Sequence, residues 1–354
     1  MTTVAPRALA SELQQTRSAL LDLVEQRLTN FLTEQRAGWH GLNSRAAQPI
    51  DAISGLLASG GKRLRPLFCL SGYLAAGGTP ADTTVADAAA ALELLQAFAL
   101  IHDDVVDNSP LRRGSPTVHV QHAHEHGSHG WQGESRRFGE GVAVLAGDLA
   151  LAYADRQTAH FPEPARRVWD ELKVEMIIGQ HLDVAVAAEA VVDPALSRWI
   201  AVCKSGRYTI HRPLVLGATL AGRPDLASAF ETYGLALGEA FQLRDDLIDA
   251  FGDSADTGKP TGLDFAEHKM TLLLALAVER DPRIRALLDR RDGAPWDADL
   301  IRDALESTGV RATVEESIAA LVGKACASIA ASGLDQEWVA EFSRLADQVA
   351  YRTQ

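Results

Sequence analysis

Apolar residues recur along this chain at the three- and four-residue intervals of a helix, and the two-residue alternation of a strand is nearly absent. The period predicts an amphipathic helix over 11–36, where Leu13, Leu20, Leu21, Val24, Leu28 and Leu32 fall near helical spacing. Residues 1–10 are expected to fray, and 38–49 to form a loop. A short helix over 50–58 runs into Ser59, Gly60 and Gly61, and Pro66 suits the first turn of a helix reaching about Ala76. Gly77, Gly78 and Pro80 break the pattern before a long apolar helix over 81–107. Beyond Gly141 helical periodicity is almost continuous, over 141–160, 163–190, 194–220, 225–252, 268–280, 298–308, 311–332 and 335–350. The Ala-rich helices over 141–160 and 225–245 read as buried on most sides. The least regular segment is 118–140, with His119, His122, His124, His126 and His129 among Gly, Ser and Glu. It shows no clear apolar face and reads as a polar surface loop rather than a metal-binding tract. No linker divides the chain. The expectation is one all-α domain over 1–354, a bundle of about ten or more helices around a central apolar cavity.

Composition narrows the partners. The 354 residues are 47% hydrophobic and carry a formal charge of -13, ample for a large core and unsuited to nucleic acid, which needs a basic face. An anionic ligand would be repelled at long range, so a phosphate site has to be built locally from metal ions and placed Lys and Arg side chains. Cys69, Cys203 and Cys326 show no CxxC spacing and read as free thiols of a reducing compartment. The N-terminal stretch lacks the pattern of a signal peptide, and no run approaches the ~20 apolar residues of a membrane span. A soluble cytoplasmic protein is expected.

The most informative stretch is 94–113, LLQAFALIHDDVVDNSPLRR. Asp103 and Asp107 lie one helical turn apart on one face, where they repel each other unless a cation intervenes. Asn108, Ser109 and Pro110 should stop the helix, with Arg112 and Arg113 just beyond. The pattern recurs at 241–249, FQLRDDLID, where Asp245 and Asp249 share a face. These carboxylates are candidate ligands of a hard divalent cation. Their two helices are among the most apolar in the chain and are expected to lie side by side at its centre.

Basic residues supply the complement. In GGKRLRP, 60–66, Lys62 and Arg65 stand at a helix entrance after two glycines and suit one phosphate group. Lys204 lies before Ser205 and Gly206 in an apolar helix, where its charge is costly to bury without an anion, and Gly206 points to a bend or a close ligand. Lys259 and Lys269 follow the second acidic helix.

Together GGKRLRP, LIHDDVVD, LRRGSPTVH, LAGDLAL, KSGRYT and FQLRDDLID, in this order, resemble the trans-isoprenyl diphosphate synthases, most nearly the bacterial geranylgeranyl diphosphate synthases. The resemblance covers about 15–350. It implies that Asp103, Asp107 and Asp245, with Asp249 beside them, hold about three magnesium ions against an allylic diphosphate. It places Arg112, Lys204, Ser205, Gln242, Lys259 and Lys269 around that diphosphate, and Lys62, Arg65, Gln96 and Arg113 around isopentenyl diphosphate. Position 96 is often His in bacterial relatives, Ser205 stands where Thr is usual, and Met270 stands where a second basic residue is usual. A homodimer is implied as well.

The implied chemistry is ionisation of the allylic C–O bond, attack by isopentenyl diphosphate and loss of a proton, in a cavity that excludes water. Ala99 lies beneath the metal face and Phe98 is turned about 100° from it, so the small residue leaves a path that the ring partly closes. This pattern resembles synthases reaching twenty carbons, with a fifteen-carbon farnesyl product as the alternative. A class I terpene cyclase would need a different second metal motif and no Lys62/Arg65 site, and a non-catalytic subunit would have lost acidic-motif residues.

Overall fold

The structure is a computed structural model that describes residues 6–252, 261–266, 268–288 and 296–352, with backbone alone for 6–11. It is an assembly of α-helices. Helix α1, Pro6–Leu42, begins within the stretch expected to fray and continues through much of the expected loop. A short turn of 3₁₀ helix, Ser44–Ala47, leads into α2, Gln48–Ala58, with Pro49 in its first turn. Next come α3, Leu64–Ala75, and α4, Thr84–Val106. Helices α5, Val118–His129, α6, Ser135–Thr158, and α7, Glu163–Glu189, complete the first half.

The expected helix over 194–220 is three segments in one: α8, Pro194–Ala201, a π-helical stretch, Val202–His211, and α9, Arg212–Leu220. Widened turns of this kind are frequent at functional sites. Helix α10, Ala227–Phe251, follows. Further helices span Leu263–Ala266, Leu272–Arg280, Ala298–Ser307, Val310–Ala330 and Gln336–Ala350.

Helix α4 is the central rod. Val85, Ala86, Ala88, Ala89, Ala91, Leu92, Leu94 and Leu95 are fully buried, which explains a sequence apolar on nearly every face. Contrary to the sequence expectation, α4 is long and apolar enough to cross a membrane by length and composition, but 72% of that window is buried inside the molecule. It packs chiefly against α6 and α3. Helix α10 packs against the Val310–Ala330 helix and the π segment. The two acidic helices are therefore not side by side, contrary to expectation; Lys204 and Lys269, paired with the end of α4, line a cavity with Gln242 and Asp246 of α10. Gly206 meets the backbone of Gly238 rather than a ligand: a Cβ on Gly238 would lie 2.5 Å from the Cα of Gly206, so this crossing admits no side chain.

Two expectations fail on burial and shape. Helix α6 is not buried on most sides, because Phe138, Val144 and Leu145 are exposed. The His-rich segment is not a loop. It is α5, packed along α6, with His119, His122 and His126 on its buried face. His126 Nδ1 lies 2.9 Å from Ser135 Oγ and its Nε2 3.0 Å from the carbonyl of Gln132, so these rings form a polar core stripe.

Candidate active site

At the end of α4 the chain turns back sharply. Asn108 takes a left-handed conformation, and Leu111–Arg112 pairs antiparallel with Ser115–Pro116. The two residues between them, Arg113 and Gly114, both have positive φ, as a two-residue hairpin turn requires. The hairpin brings Arg112 back onto the helix end. Its Nε donates to Asp104 Oδ1 at 2.6 Å, and Nη2 lies 3.5 Å from Asp103 Oδ2. Burial pushes the Asp104 carboxyl up to about 6, against the pull of Arg112.

Asp103 has partners from three elements. Gln180 of α7 donates to its Oδ1 at 3.0 Å, Lys204 Nζ lies 3.6 Å away, and Arg112 closes the group. Burial disfavours its charge, but Lys204, Lys269 and Arg112 outweigh this and hold the carboxyl below its ordinary value. Lys204 also donates to Asp183 of α7 at 2.7 Å. Asp107 takes Lys269 Nζ at 2.8 Å, and that nitrogen also lies 3.9 Å from Asp264.

On α10, Gln242 Nε2 donates to Asp246 Oδ1 at 2.8 Å. Asp246 is buried, and burial together with Asp264 raises its carboxyl well above the ordinary range. Asp249 accepts the backbone N–H groups of Leu263 and Asp264, each at 3.1 Å. Asp245 is half-buried and paired with Arg352. Lys204, Ser205, Gln242, Asp246, Asp264 and Lys269 line one cavity, where Met270 adds an apolar wall and accepts a hydrogen bond from Ser197 at its carbonyl. Lys259 lies outside the described residues.

The second basic group gathers around the glycine loop. Gly60, Gly61 and Arg63 all have positive φ, which bends the GGKR loop over the start of α3. Gly61 leaves room for Arg113, whose Nη2 would be 3.0 Å from a Cβ there. Arg113 donates to Ser59 at 3.2 Å. Arg63 turns inward to Glu25 and Glu93, leaving Lys62 exposed. Arg65 donates to Thr209 at 2.9 Å, and Gln96 accepts the Tyr208 hydroxyl at 2.5 Å.

The structure thus gathers the sequence candidates into two groups: Asp103, Asp107, Arg112, Lys204, Ser205, Gln242 and Lys269 near the acidic ends, and Arg65, Gln96 and Arg113 near the glycine loop. Phe98 is nearly buried, its ring edge-on to His102 at 4.7 Å, and Ala99 is half-buried. Sequence reasoning missed Asp104, Asp246, Asp183, Gln180 and Arg352. Gln180 and Asp183 carry a usable signal, since their three-residue spacing puts two polar groups on one face of a largely apolar stretch.

Carboxylate oxygens suit magnesium. Among the described residues no three of them converge into a ready cation cage, because Asp103, Asp107 and Asp245 are held by Lys or Arg. A divalent ion would replace those cations, and the displaced lysines would be free for an anion carried with it.

Residues 48–306 match the family model for polyprenyl synthetase. A geranylgeranyl pyrophosphate synthase from Corynebacterium glutamicum, solved with isoprenyl diphosphate and magnesium, superposes with a TM-score of 0.87 at 36% identity, covering 94% of this chain and 98% of that one. A short chain isoprenyl diphosphate synthase of Methanothermobacter thermautotrophicus is 35% identical over 242 residues, 65% of this chain and 67% of the relative. The nonaprenyl diphosphate synthase of Mycobacterium tuberculosis is 33% identical over 264 residues, 72% of this chain and 71% of the relative.

Proposed function

From the chain's membership of the polyprenyl synthetase family, whose members include trans-prenyltransferases, we propose that it makes geranylgeranyl diphosphate as its main product, condensing isopentenyl diphosphate with dimethylallyl, geranyl and farnesyl diphosphates. The observation that carries this reading is the pair of separate cationic sites. One gathers Lys204, Lys269 and Arg112 on the acidic end of α4, beside Gln242 and Asp246 of α10, and the other lies under a glycine loop. A reaction between two diphosphates, of which only one leaves, calls for this division.

Asp103, Asp107 and Asp245, with Asp249 adjacent, would hold magnesium, which supplies the charge that lets the allylic diphosphate leave. Lys204 and Lys269 line one cavity with Ser205 and Gln242, and Arg112 lies on Asp103 beside them; freed from their carboxylates, the three cations would bind the diphosphate oxygens, a role the family resemblance extends to Lys259. Lys62, Arg65, Gln96 and Arg113 hold the diphosphate of the second substrate, which does not leave. The apolar length of α4 below Asp103 excludes water from the cation. The exposed apolar side chains of α6 support a homodimer.

Relatives of similar identity carry chain lengths from short-chain to nonaprenyl in their names, so product length is read from the side chains. The nearly buried Phe98 ring supports a floor, and half-buried Ala99 leaves the nearer path open. The test is incubation of the purified chain and magnesium with labelled isopentenyl diphosphate and each allylic diphosphate, followed by sizing of the products. Elongation of farnesyl diphosphate by one unit is expected. Failure to use it overturns the twenty-carbon product, and failure with every allylic substrate overturns the enzyme reading.

A further inference from the structure

Tyr208 has no assigned part in the reaction, yet it is nearly fully buried between two side chains of the proposed isopentenyl diphosphate site. Its hydroxyl donates to Gln96 Oε1 at 2.5 Å, and its ring carries the Arg65 guanidinium 4.1 Å above the centroid. The next residue, Thr209, is also buried and takes Arg65 Nη2 at 2.9 Å. We infer that Tyr208, with Thr209 beside it, is a positioning residue that sets the isopentenyl diphosphate site before substrate arrives; this rests on the function proposed above.

A glutamine amide can present either its oxygen or its nitrogen to a ligand. With Oε1 taken by the phenol, Nε2 is left to donate, which is the sense an anionic diphosphate needs. The guanidinium is fixed in the same way. The tyrosine face beneath it sets its plane, and Thr209 takes one donor. Arg65 Nε is buried without a hydrogen-bond partner, so one donor of the fork is unspent. Burial pushes the Tyr208 phenol well above its ordinary range, which keeps the hydroxyl a donor. Tyr208 also lies in the same π-helical segment as Lys204, so one short stretch shapes both diphosphate sites.

The test compares wild type with Tyr208→Phe, which keeps the ring and removes only the hydroxyl. Calorimetry measures isopentenyl diphosphate binding without allylic substrate, and steady-state assays give KM for each substrate. Tyr208→Phe should weaken isopentenyl diphosphate binding about three- to tenfold and move the allylic KM by less than about twofold. Thr209→Val should act in the same direction through Arg65. In Gln96→Ala the hydroxyl has lost its partner, so adding Tyr208→Phe should weaken binding no further. Unchanged binding in both single variants, equal losses for both substrates, or additive losses in the double variant would overturn the inference while the enzyme reading stands. A wild-type protein that neither binds isopentenyl diphosphate nor elongates anything would overturn both.

Discussion

The guanidinium of Arg352 is paired with the carboxylate of Asp245 and lies 3.8 Å over the ring of Phe241. Its side chain is almost buried, and Nε and Nη1 make no hydrogen bond. An arginine near the end of the sequence therefore stands on the second acidic motif as a cation. On the metal assignment proposed above, magnesium at Asp245 would have to displace it. Arg352→Ala should tighten magnesium binding about three- to tenfold by calorimetry and lower the stability of the metal-free protein by about 1 kcal/mol, since Asp245 is half exposed. Unchanged affinity would show that the pair opens without cost.

The two sites should separate in kinetics. Asp103→Ala should abolish turnover and leave the fold intact, because Lys204 keeps Asp183 at 2.7 Å. Arg113→Ala should instead raise KM for isopentenyl diphosphate about ten- to a hundredfold, the value of a lost charge-assisted hydrogen bond. Near wild-type turnover of Asp103→Ala at saturating magnesium would remove it from the metal site. Equal KM effects of Arg113→Ala on both substrates would mean that the sites are wrongly divided.

Product length should respond to the two side chains below Asp103. Phe98→Ala removes the ring packed on His102 and should lengthen the product, whereas Ala99→Phe should shorten it to fifteen carbons. Chromatographic sizing reads both. If neither variant changes the product, the floor lies on another helix, with α6 the next place to look.

His211 sets an acid limit on stability. It is buried with Nδ1 unpartnered, and burial, then Arg212 and Arg207, push its pKa down to about 3, with Glu175 opposing. The unfolded chain binds this proton near pH 6.5, so the stability due to the neutral ring is present above that pH and is lost as pH falls from 6.5 through 3. The loss amounts to about 2 kcal/mol by pH 5. Urea unfolding at pH 7 and pH 5 should show that loss in wild type and much less of it in His211→Gln. Equal losses would place the titration elsewhere.

Most of the helices were legible because apolar spacing alone defines them, and the acidic motifs because a four-residue spacing of like charges demands a cation. Helix α5 was hidden for a physical reason. Its inward positions, 119, 122 and 126, keep helical spacing but are histidines satisfied by hydrogen bonds, and a search for apolar stripes passes over them. The hairpin at 111–116 was hidden in the same way, since Arg113 in a left-handed turn gives no sequence signal. The partners Asp183, Tyr208 and Arg352 come from distant parts of the chain, and only the fold could bring them to Lys204, Gln96 and Asp245.

The crossing of Gly206 and Gly238 has a mechanical consequence. Backbone rests on backbone there, with no side chain to yield, so Lys204 and the second acidic motif ride on a single strut. Any adjustment on substrate binding should then fall to the end of α4 and its hairpin. Amide exchange should be slow along 202–211 and 234–246 and faster around 107–116, where substrate should add the most protection.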